Sequence, residues 1–188
     1  MGYAGSRVYS DHRYSTTERC DVGAFLDFFR WAFDWAAKLL GWGARSKHDR
    51  ELFDEFLDAL PSNGNVKFID EYDFLFGDFH RHNISQIKDF LETWNDAEHE
   101  FVNKKLEKKR QELFARLKEF LDVLVVATVP VGNGESLSIF PDNQPRKDDQ
   151  GRYLPELKED ARKMNDAAKG IFELHQDFIR EAKKRLEV

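Results

Sequence analysis

The chain of 188 residues is long enough to build one core of ordinary size, and its 35 Asp and Glu against 29 Lys and Arg give a formal charge of -6. That balance repels phosphate backbones, so nucleic acid is not expected as a partner. Cys20 is the single cysteine, which excludes an intramolecular disulfide and points to a reduced, cytoplasmic setting; the 14% aromatic content exceeds what disordered chains carry.

Residues 1–20, "MGYAGSRVYSDHRYSTTERC", are polar and aperiodic and lack the apolar centre of a secretory signal, which predicts a flexible tail ahead of one helical domain over residues 21–188. The segment "FLDFFRWAFDWAAKLLGW", residues 25–42, follows. At about 100° of turn per residue, Asp27, Arg30, Asp34 and Lys38 fall in one stripe bordered by Trp31, Trp35 and Trp42. Spanning a membrane would cost roughly 2.5 to 3.5 kcal/mol for each charge near the centre. An interfacial anchor would reward a Lys/Arg excess that the stripe lacks. The favoured reading is a helix buried on most sides with its charged stripe in solvent. The next is a face for another protein or a second copy, formed by Phe28, Trp31, Trp35 and Trp42, since interface hot spots use Trp.

Gly41 and Gly43 are expected to end that helix, and Ser46 with Asp49 to start a second, whose stripe Leu52, Phe53, Phe56, Leu57 and Leu60 is stopped by Pro61. After the turn "PSNGN", the alternation in "VKFI" predicts an extended piece at residues 65–68. Ile84, Ile87, Phe90, Leu91 and Trp94 predict a helix, and Asn95 with Glu98 predicts the start of a longer one reaching Thr128 before Pro130. On that long helix Leu106, Leu113, Leu117, Phe120, Leu124 and Ala127 make a coiled-coil-like seam with a polar gap at Arg110, and Glu100–Lys104 and Glu112–Arg116 pair on its solvated face. Leu157, Ala161, Met164, Ala168, Ile171, His175, Phe178 and Ala182 repeat the spacing after Pro155, with Phe172, Ile179 and Leu186 widening the stripe. In the connection 129–154, Gly132-Asn133-Gly134 between "VPV" and "LSIF" predicts a hairpin able to pair with "VKFI". The expected fold is all-α, a helical bundle built on a long antiparallel helix pair, with a very short β-hairpin or two-stranded sheet at most.

Reactive residue types concentrate at Asp70, Glu71, Asp73, Asp78, His80 and His82. Of these, Asp73, Asp78, His80 and His82 are the candidate ligands of a divalent metal, because carboxylate and imidazole are the donors such ions take. Their spacing fits neither an EF-hand loop nor a His-Glu-x-x-His helix, and a solvated loop explains them as well. His175 lies on the inner seam, where a satisfied core histidine is expected over a catalytic base because no nucleophile or carboxylate can be assigned to it. A phosphate-cradling Gly-rich loop, a Cys-x-x-Cys pair and a nucleophile elbow are all missing, so no cofactor is expected. The expected function is a non-catalytic interaction or regulatory role inside the cell, with another protein or itself as partner. A peripheral membrane protein anchored by residues 25–42, and a metal-binding protein or enzyme using residues 70–82, are the alternatives.

"HDRELFDEFLDALPSNGNVKFIDEYDF" and "WNDAEHEFVNKKLEKKRQEL" together resemble stretches of a group of uncharacterised bacterial helical proteins, in which a Leu-Pro-Ser turn with Gly, a Phe-Ile, a downstream Asp-Phe and a Trp-to-Glu-His-Glu-Phe segment recur in this order. The resemblance covers residues 48–113. It implies a bacterial cytoplasmic setting and no known activity.

Overall fold

Helix α1, Trp42–Ala59, turns Phe53, Phe56 and Leu60 just beyond it into the interior. The structure is a computed structural model and describes residues 30, 31, 33, 35, 36, 42–142 and 145–188. The expected tail 1–20, Phe28 and most of the 25–42 helix lie outside the described residues. Residues 42–188 form one compact unit, predominantly helical with a small three-stranded sheet. Already at Trp42 the backbone is helical, so Gly43 does not break it and Ser46 does not begin it. Asp49, expected at an N-terminal cap, is buried and turned away. Its two carboxylate oxygens accept from the amides of Val102 and Asn103 at 2.7 and 2.9 Å, fastening the chain 53 and 54 residues downstream.

The "VKFI" segment is not extended. It belongs to helix α2, Asn65–Glu71, whose buried residues are Val66 and Ile69, three apart, instead of alternate positions. The reason lies 21 residues away. The Asn65 amide donates to Gln86 Oε1 at 2.9 Å and the Gln86 amide donates to Asn65 Oδ1 at 2.8 Å, so side chains from two helix starts satisfy each other's free donors. The second of those helices is α3, His82–Thr93, which buries Ile84, Ile87 and Phe90 as its spacing predicts.

The long helix also begins later than Asn95. Asp96 caps a single 3-10 turn, Ala97–His99, by accepting from the amides of Glu98 and His99, and Asn103 caps α4, Lys104–Ala127, by accepting from those of Lys105 and Leu106. Leu106, Leu113, Leu117, Phe120 and Leu124 are buried as expected, and Ala127 is half-buried. Arg110 leaves no gap in the seam, because it too is buried. On the solvated face Arg116 pairs with Glu119 at 2.5 Å, three residues on, and not with Glu112.

Strands β2, Val129–Val131, and β3, Ser136–Ser138, form the expected hairpin around Gly132 and Gly134, both at positive φ (61° and 87°). Its partner is β1, Phe79–His80, and not "VKFI", giving the order β1-β3-β2 with all pairings antiparallel. Pro130, which lacks the amide to continue a helix, sits on edge strand β2, where such a residue is tolerated.

The last seam is buried at all eight expected positions, yet it is carried by two helices: α5, Pro155–Ala168, and α6, Ile171–Leu186. Lys169 and Gly170 interrupt them, with Gly170 at φ 81°. Phe101 meets Phe178 at 5.5 Å and the Arg116 guanidinium reaches the Lys169 carbonyl at 3.4 Å, so α4 and α6 run antiparallel. At the centre Phe56 touches Phe178, His175, Phe90 and Trp94, with ring centroids 4.4 to 5.7 Å apart.

Candidate functional site

The 70–82 residues take separate duties. Asp73 accepts from the Leu75 amide at 3.0 Å and from Asn165 Nδ2 at 2.8 Å, while Asn165 Oδ1 accepts from the Phe74 amide at 3.1 Å, so Asp73 ties the segment after α2 to α5. Asp78 pairs with Arg146 at 3.2 Å. His80 and His82 stack on each other at 5.2 Å, and His80 Nδ1 lies 3.5 Å from Ser136 Oγ. Two of the four candidate metal ligands are thus neighbours, and each of the other two is engaged elsewhere. Among the described residues no three His, Cys, Asp or Glu side chains come together as a metal site. Tyr72, beside them, is held above its usual pKa by burial and then by Asp78 and Asp73, so its protonated phenol donates to the Asp78 carbonyl at 3.3 Å and supplies no base.

His175 is fully buried against Phe56. Its Nε2 is 2.7 Å from the Leu60 carbonyl and its Nδ1 is 3.2 Å from Gln176 Nε2. A carbonyl only accepts and an amide nitrogen only donates, so this network assigns the neutral ring with the proton on Nε2. With both nitrogens occupied and no solvent contact, His175 holds the core together and has nothing to offer a substrate.

The buried pair Glu107–Arg110 escapes sequence reasoning. Arg110 donates to both Glu107 oxygens at 2.7 and 2.9 Å and to the Trp94 carbonyl at 2.9 Å; Glu107 also accepts from the Phe101 amide at 3.0 Å and from Gln111 at 2.7 Å. Burial by itself would raise the Glu107 carboxyl, but these donors outweigh it and hold it below its usual value. The signal for the pair is a Glu three residues before an Arg on an otherwise apolar seam. Its partners all belong to the 94–111 turn, so it is structural.

Among the openings of the compact unit are a groove of about 810 Å³ between α3 and α4 and a smaller one of about 290 Å³ beside Asp70, Tyr72, Asp73 and Asn165. Helices α3 and α4 run antiparallel: Phe90 meets Phe114, and Arg110 reaches back to Trp94. Taking about 100° per residue, Leu91, Ile84 and Lys88 stand about 40°, 60° and 100° round α3 from buried Ile87, and Leu121, Phe114 and Lys118 stand at the same angles round α4 from buried Leu117. Val125 adds a further apolar position between Phe114 and Lys118. The two walls therefore match: apolar low down, one lysine above, and then an acid, Glu92 or Asp122, nearer the rim. Toward the C-terminal end of α4 the groove reaches Val125, which is 74% exposed. Its lining also holds His82, Ser85 and Asp89, and the Ser85 hydroxyl donates to the His82 carbonyl at 3.0 Å. Sequence reasoning missed the groove because Phe114, Leu121 and Val125 lie beside the main seam and pass for its flank.

Of the aromatic residues expected to bind a partner, Trp31 and Trp35 are helical, stack at 6.3 Å and are exposed, as is Phe33. Phe28 lies outside the described residues, and the side chain of Trp42 is likewise not described. Among the described residues no helix is long and apolar enough to cross a membrane. Compared with known protein families, curated proteins and solved structures, the chain matches none.

Proposed function

We propose that the protein is a non-catalytic interaction module of the cell interior, acting by holding another protein. The observation that carries this reading is the open α3–α4 groove, where half-buried Leu91, Phe114 and Leu121 and exposed Val125 leave apolar surface of the kind that marks interaction sites. Elsewhere in the compact unit His175 is committed to Leu60 and Gln176, Glu107 to Arg110, Asp73 to Asn165 and Asp78 to Arg146. The exposed Trp31, Phe33 and Trp35 support the same class of function from outside the compact unit. The lone Cys20 favours a reducing compartment.

The test is photocrosslinking in the native cell with p-benzoylphenylalanine at Val125, and at the exposed α5 position Lys163 as control. The expected result is one discrete adduct from position 125 that position 163 does not give. Identical patterns from the two positions would discard the reading.

A further inference from the structure

Resting on that reading of the groove, we propose that its occupant is an amphipathic helix of another protein carrying Asp or Glu on both flanks of its apolar stripe. Ile84, Lys88 and Leu91 on α3 are spaced by four and three, and Phe114, Lys118, Leu121 and Val125 on α4 by four, three and four. Two antiparallel walls with that period accept a third helix, whose own stripe repeats every three and four residues, and not a strand that repeats every two. The wall offered by α3, 12 residues, is about 18 Å long, matching roughly three turns of helix.

Lysine placement then selects the occupant. Lys88 and Lys118 stand directly above the apolar floor on opposite walls near mid-groove, where the flanking positions of a docked helix would lie, and charges at those positions set partner choice in packed helices. Lys88 reaches only the exposed Glu92 at 3.6 Å, an arrangement of little energetic worth. Among the described residues Lys118 makes no ion pair. The acids Glu92 and Asp122 lie about 40°, and Asp89 about 100°, farther from the floor than the lysines, and Arg81 adds a third cation to the lining, so the flanks of an incoming helix meet ammonium groups before carboxylates. A second copy is a poor occupant: a two-fold axis through mid-groove would set concave surface on concave surface and Lys88 and Lys118 against themselves.

The experiment titrates the full chain with two fluorescein-labelled synthetic helices of about 21 residues, three heptads with Leu at both core positions. One has Glu at both flanking positions and the other has Lys. By fluorescence anisotropy the Glu-flanked peptide should bind at least about tenfold more tightly. The Lys88→Glu/Lys118→Glu protein should reverse the order, and Val125→Asp, at an exposed site, should weaken both; circular dichroism melts check that each variant is folded. Equal binding of the two peptides, or an order unchanged by the double substitution, overturns acid-flank recognition. Such a result leaves the groove's role to the Val125 crosslink, which fails separately. A chain that sediments as a dimer and becomes a monomer on Val125→Asp overturns the proposal in favour of a second copy.

Discussion

A neutral imidazole sealed in a core makes His175 a source of pH-dependent stability. Burial lowers its pKa, and the hydrogen bond to Leu60 opposes that with the smaller effect. Between the lowered folded value and the ordinary value near 6.5, the unfolded chain binds the extra proton, so stability rises with pH there. The contribution is complete above about pH 6.5 and is lost as pH falls through the folded value, with a slope of at most about 1.4 kcal/mol per pH unit. Urea unfolding of the wild type at pH 7.5, 6.5 and 5.5 should show this decline, and His175→Gln, which keeps an amide donor for Leu60, should flatten it. Parallel declines in the two proteins would show that the ring is not held neutral. The burial of His175 was legible because the residue falls on an unbroken three-and-four spacing. Arg110 lies on an equally regular seam and still read as a gap, because periodicity records polarity and not whether Glu107 sits one turn earlier to receive the guanidinium.

Elements were most legible where length gave the period room to repeat. Four residues of "VKFI" cannot separate spacing by two from spacing by three, and what decides for α2 is the reciprocal Asn65–Gln86 pair, 21 residues apart and invisible in a local pattern. Between α5 and α6 the opposite happened, since the apolar spacing runs through a real break. Ala168 and Ile171 hold the phase of the stripe, while Gly170 takes a left-handed conformation that lets α6 begin afresh. Nothing lies within 4 Å of where a Cβ on Gly170 would be. The cost of Gly170→Ala is therefore conformational alone, about 1 to 2 kcal/mol. Gly170→Asn, tolerated in that region, should recover part of it. Chemical denaturation of the three proteins tests this ranking; an alanine variant as stable as wild type would mean that α5 and α6 can fuse into one helix.

Among the described residues the buried apolar cluster draws on residues 52–186, from Leu52 on α1 to Leu186 on α6. Its long-range polar ties fall inside the compact unit as well: Asp49 to Val102 and Asn103, Arg50 to the Leu186 carbonyl at 2.8 Å, and His175 to Leu60. Residues 42–188 thus hold a core of their own, whereas the sequence marks residues 1–41 as the most aromatic part of the chain. Composition could not show that division, because Phe and Trp have equal apolar appetite whether they fill a core or wait for a partner. A protein comprising residues 42–188 should therefore unfold in one cooperative transition, its midpoint within about 4 °C of the full chain's, the shift that roughly 1 kcal/mol produces at this size. Trp94, only 3% exposed, should keep the blue-shifted emission of a buried indole in that fragment. A fragment with a broad, non-cooperative melt and red-shifted emission would place the aromatic segment within the core and remove residues 30–36 from the surfaces available to a partner.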